Sequence, residues 1–112
     1  MANKFHATTV TYFGETFDSK AEGERWLILR QLEKQGVIHH LRRQVEFQLT
    51  PAYPEVKLLA MKYIADFAYQ DSDGRLHVED VKGYRKGAAY ELFKAKQKML
   101  YRIYGLYVEE IS

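Results

Sequence analysis

Two acidic residues lie inside apolar runs that otherwise read as strands. The first run is Tyr63-Ile64-Ala65-Asp66-Phe67-Ala68-Tyr69, the second Leu76-His77-Val78-Glu79-Asp80-Val81-Lys82-Gly83. Asp71-Ser72-Asp73-Gly74 between them is a hairpin signal. If the loop is Ser72-Asp73-Gly74, with Gly74 left-handed, Asp71 faces Arg75 and Asp66 falls opposite Asp80. Opposed residues have β-carbons about 4.5–5.5 Å apart. Two carboxylates that close repel unless a cation lies between them. Lys82, two residues beyond Asp80, projects from the same face. Two acids and a lysine so placed are the layout of a magnesium-dependent phosphodiesterase site. Asp66 and Asp80 would hold magnesium (manganese would substitute), and the carbonyl of Val81 could join them. Lys82 would steady the attacking water or the phosphate oxygens. The bland alternative is a solvent-facing charged pair, for which two opposed aspartates are a poor choice.

Other residues could extend the site. Glu22 precedes Trp26 and Leu29 at helical spacing, on the stripe that should face the sheet. It also stands three residues after Ser19, the spacing of a capping box. The residues leave both roles open, and the two can coexist. Glu79 points to the face opposite Asp80 in a regular strand, and a structural role there is the simpler reading. Lys96 interrupts the apolar stripe Ala89, Leu92, Phe93, Met99, Leu100, Ile103, so it either snorkels or reaches toward the acids. Arg85, Lys86, Lys94, Lys96 and Lys98 could contact the phosphates of a nucleic acid, or form a solvated face. His39-His40 lacks partners at zinc spacing and reads as a surface loop. No nucleotide-binding loop and no nucleophile elbow is present.

The elements that must position these residues follow from pattern and punctuation. A short edge strand is expected at Val10–Phe13, and a helix from Ser19 to about Gln35, stopped by Gly36. Strands follow at Arg43–Leu49, about Lys57–Tyr69 and Arg75–Lys82. A second helix runs from Ala88 to about Tyr104, stopped by Gly105, and a last strand spans Leu106–Ile111. The fold class is α/β or α+β: a mixed central sheet flanked by helices, the last strand parallel to the one before its helix. The 112 residues form one domain, with positions 1–9 expected to be poorly ordered. No run is long enough to span a membrane, and no signal peptide is visible. Without cysteine, disulfides and thiolate metal sites are excluded, and a cytoplasmic protein is the default. The net charge of +2 does not itself announce nucleic acid.

Together these motifs resemble the PD-(D/E)XK nuclease superfamily, whose common core is helix, three strands, helix, strand. Its first acid is matched by Glu22, its "PD" acid by Asp66 with Ala65 in place of proline, and its (D/E)XK element by Asp80-Val81-Lys82. More narrowly, the chain looks like a family of small phage and prophage proteins with an F-D-S-x-x-E opening, a glutamine-led second element, a "DF-Y" strand and an "EDVKG" strand. Those elements read here Phe17-Asp18-Ser19 with Glu22, Gln44 with Phe47, Asp66-Phe67 with Tyr69, and Glu79-Asp80-Val81-Lys82-Gly83. The resemblance implies a restriction-endonuclease-like core. It implies a metal-dependent DNA endonuclease, active in phage recombination, repair or replication on branched DNA, in the manner of Holliday-junction resolvases. Glu22 would join the metal ligands, and Gln44 and Glu79 would support them from behind. A phage-encoded protein would work in the bacterial host cytoplasm. Paired cutting would call for a homodimer. Two other classes remain open: a nuclease-fold nucleic-acid-binding module without catalysis, and a phage assembly or replication accessory protein.

Overall fold

The computed structural model describes residues 9–112; the expectation of poor order at positions 1–9 lies outside them apart from Thr9. Two short strands open the chain, β1 (Val10–Tyr12) and β2 (Glu15–Phe17), paired antiparallel as a separate two-stranded sheet. The turn between them, Phe13-Gly14, has positive φ at both residues, as a two-residue hairpin turn requires. The single strand expected here is therefore a hairpin. Phe13 gave no signal for it, because a left-handed aromatic is rare. Helix α1 (Lys20–Lys34) follows, with the Ser19 hydroxyl accepting from the Glu22 N–H at 3.1 Å. Gly23 is where α1 passes the hairpin: a β-carbon there would lie 2.7 Å from side-chain atoms of Val10 and Tyr12.

The main sheet has the order β3-β4-β5-β6, from β3 (His39–Thr50), β4 (Met61–Gln70), β5 (Leu76–Val81) and β6 (Val108–Ile111). The first three are antiparallel, and β6 lies parallel to β5 after helix α2 (Ala88–Tyr104). This is an α+β arrangement with a mixed sheet. It departs from the expected element order by the hairpin before α1 and by one 3-10 turn, Pro54–Val56, between β3 and β4. That turn and the left-handed Lys57 delay β4, which was expected to start near Lys57. His39 and His40 open β3 rather than forming a loop. Among the described residues, no helix is long and apolar enough to cross a membrane.

The β4–β5 hairpin has the expected register. Asp71 N–H donates to the Arg75 carbonyl, Gly74 has φ 81°, and the Asp71 carboxylate accepts from the N–H of Asp73 and Arg75. The ladder runs from Gln70↔Leu76 to Phe67↔Glu79, so Asp66 and Asp80 come next.

Each helix covers its own part of the sheet. Trp26 and Leu29 of α1 pack with Phe17, Phe67 and Tyr69, whereas Phe93 and Leu100 of α2 pack with Tyr63, Ala65, Val78 and Val108. In a regular strand residues 63, 65, 67 and 69 would share a face. Here β4 turns over between Ala65 and Phe67, and β3 does the same, with Leu41 on the α1 side and Phe47 and Leu49 on the α2 side. Pairs Arg43↔Phe67 and Val45↔Ala65 bracket the turnover, and Gln44 between them is left-handed at φ 51°. Asp66 thus sits where both strands change sides.

Candidate acidic site

Asp66 is the next residue on the ladder opposite Asp80, and its carboxylate accepts from the Val81 N–H at 2.8 Å. Burial is the largest cause that raises the Asp66 carboxyl, followed by the hydrogen bond and charge of Asp80, to about 8; Glu22 adds to the rise. The Tyr63 hydroxyl donates to Asp80 Oδ2 at 2.5 Å. Burial and then the Asp80 charge push that phenol far above its ordinary value. Lys82 Nζ stands 3.5 Å from Asp80 Oδ1 and 4.0 Å from the centre of the Phe93 ring. A residue's N–H and C=O share an edge in an extended strand, so the Val81 carbonyl is directed to the β4 side, like its N–H.

Glu22 is buried on α1. Its N–H is capped by Ser19, but its carboxylate faces Gln44 Nε2 at 3.4 Å and Arg43 at 3.6 Å. Burial raises its pKa and Arg43 opposes that rise; the Asp80 charge raises it further. The carboxylate is therefore turned toward the sheet, within electrostatic reach of both aspartates. Glu79 lies on the other face, fully buried, where it accepts two hydrogen bonds from Arg25, at 2.7 and 2.6 Å, and one from Tyr69. It ties α1 to the strand that carries Asp80.

The basic residues differ in their partners. Glu110 of β6 takes Lys94 at 2.9 Å and Arg85 at 3.4 Å, an acid from outside the basic stretch that sequence counting did not bring in. Lys98 lies beside Tyr101, Arg102 and Tyr107. Lys86 is exposed before α2. Lys96 lies on the acidic side, with its ammonium on the Lys62 carbonyl at 2.9 Å. Of the five residues expected to contact phosphate or form a solvated face, Arg85 and Lys94 carry a local counter-charge and Lys96 stands on the acidic side.

Three contributors were not anticipated. Tyr63 reads as a core tyrosine, and the only hint is that a buried hydroxyl needs a partner. Arg43, stacked on Phe17 and bonded to Glu15, carries no pattern of its own. Arg25 could have been sought, because a glutamate inside an apolar strand needs a cation.

Metal fit can be judged from the donors. Among the described residues, no three His, Cys, Asp or Glu side chains group closely enough to hold an ion between them. Two carboxylates and a carbonyl nevertheless suit magnesium, which takes one or two carboxylates and keeps several waters.

A pH dependence follows. The ordinary aspartate value is about 3.9. Between there and about 8 the folded protein keeps a proton on Asp66 that the unfolded chain has released. Stability therefore falls as pH rises through this window, and the loss is complete above it. Asp66→Asn should be more stable than the parent at pH 9 in EDTA, by about 4–8 °C in Tm per kcal/mol relieved, with little difference at pH 4. Magnesium should raise the parent's Tm at pH 9 and leave the variant's unchanged. A parent Tm flat from pH 4 to 9 would contradict the raised Asp66.

The fold and site define an α+β protein with a mixed sheet that holds two opposed aspartates, Asp80 buried and Asp66 half-buried, a lysine beside one of them, and a helix-borne glutamate near both. The chain belongs to the family described as DUF1064, protein of unknown function, whose family model matches residues 2–108. No curated protein and no solved structure matches it.

Proposed function

We propose that this protein is a metal-dependent DNA endonuclease with a restriction-endonuclease-like core of the PD-(D/E)XK type. The observation that carries the reading is the opposition of Asp66 and Asp80 in a buried setting, with Lys82 beside Asp80. The two carboxylates and the Val81 carbonyl would hold magnesium, with Glu22 behind them. When bound, magnesium would supply charge neutralisation at the phosphate and acidify a water. Tyr63 fixes one oxygen of Asp80 and Lys82 approaches the other, so the ligand is oriented before substrate arrives. Lys82, held over Phe93, is placed to meet the reacting phosphate rather than the flanking duplex. Branched DNA, a role in phage recombination, repair or replication, and a homodimer for paired cutting belong to the same proposal. A binding module without catalysis would have no need for two opposed acids, one of them buried.

The test is a nicking screen on branched, flapped, single-stranded and linear DNA, with magnesium, manganese or EDTA. Metal-dependent cleavage is expected. Lys82→Ala should lower the single-turnover rate strongly and leave DNA binding nearly unchanged. Weakened binding at an unchanged rate would make Lys82 a positioning contact only. Absence of cleavage on all substrates with either metal would sink the enzymatic reading.

A further inference from the structure

An open cavity of about 430 Å³ adjoins the acidic pair on the α2 side of the sheet. Beside Asp80 and Lys82 it is bounded by Lys62 and Ile64 of β4 and by Leu92 and Lys96 of α2. Leu92 of α2 is about half exposed there, at 52%. Lys62 and Ile64 bound the cavity from the edge of β4, because Tyr63 between them carries the side chain that faces α2. Two ammonium groups, those of Lys82 and Lys96, stand by the cavity. Lys96 donates to the Lys62 carbonyl at 2.9 Å, and among the described residues no carboxylate pairs with it. Lys82 has Asp80 at 3.5 Å.

An apolar floor with ammonium groups at the rim is complementary to an anion with a flat apolar body. A volume of this size falls in the ordinary range of small-ligand sites. A nucleotide has that chemistry: its base can lie on Leu92, and its phosphate can meet Lys96 and Lys82. A base within a duplex is paired and stacked, and it reaches such a cavity only by leaving the stack. An already unpaired nucleotide avoids that cost. We infer that this cavity binds one unpaired nucleotide of a DNA strand, so that the substrate class is DNA with an extrahelical or unpaired residue next to the scissile bond. The inference rests on the nuclease reading and names what its site selects.

The test uses binding in EDTA, where no cleavage occurs. The probes are a duplex with one extrahelical 2-aminopurine and the same duplex fully paired. The bulged duplex should bind about tenfold tighter, a difference of about 1.4 kcal/mol, and 2-aminopurine emission should change on binding. Leu92→Glu, at a half-exposed position where the fold should tolerate it, should bring the two affinities close to parity at an unchanged Tm. Equal binding of the two duplexes by the parent would overturn the inference, as would a preference that survives Leu92→Glu. A parent that nicks with magnesium but does not discriminate sinks the cavity and leaves the nuclease. One that discriminates but never nicks keeps the cavity and sinks the catalytic reading.

Discussion

Asp80→Asn should reduce metal-dependent nicking by on the order of 10²–10³-fold or more, the scale on which loss of one charge-stabilising group acts elsewhere. The fold should survive. The Tyr63 hydroxyl keeps an acceptor in the asparagine oxygen, and repulsion with Asp66 is removed. Lys82 loses its partner at 3.5 Å but is not fully enclosed and can turn outward. Nicking rate and Tm in EDTA, measured on the same preparation, separate the site from the scaffold. Full activity in this variant would remove Asp80 from the chemistry. Low activity accompanied by a collapsed Tm would instead place Asp80 in the scaffold.

Arg25→Met should be the most damaging change to stability outside the acidic site. It removes two short hydrogen bonds and leaves Glu79, wholly buried, with only the Tyr69 hydroxyl. Breaking one side of a buried pair costs about 3–5 kcal/mol. The pair need not be strongly stabilising against an apolar replacement, since desolvation offsets much of its attraction. Arg25→Met combined with Glu79→Leu and Tyr69→Phe should therefore recover most of the loss. Equilibrium denaturation of both variants decides the matter. A single variant within about 1 kcal/mol of the parent would mean that Glu79 finds water.

The Arg25 network also bears on the site. It fastens α1 to β5 on the face opposite Asp80, and Glu22 lies one turn before Arg25 on the same helix. The spacing between Glu22 and the aspartates is thereby fixed from behind. The sequence placed Glu79 on the far face correctly, because β5 is regular and alternation has a period of two. Its partner came from a residue 54 positions away, which no local pattern encodes.

What the sequence determined by itself was local. Ser19 and Gly36 bounded α1, Gly105 bounded α2, and Asp71 to Gly74 set the register that aligns Asp66 with Asp80. These signals depend on backbone angles and caps within a few residues. The tertiary structure alone decided the rest. It turned β3 and β4 over at Gln44 and Asp66, an irregularity that the weak alternation of Arg43 to Leu49 does not mark. It delivered Tyr63 to Asp80, and it gave Glu110 to Arg85 and Lys94, a counter-charge from outside the basic stretch. The reason is common to all three. Caps and turns are satisfied by neighbours in the chain, whereas a buried charge or hydroxyl takes its partner from whichever element the packing brings beside it.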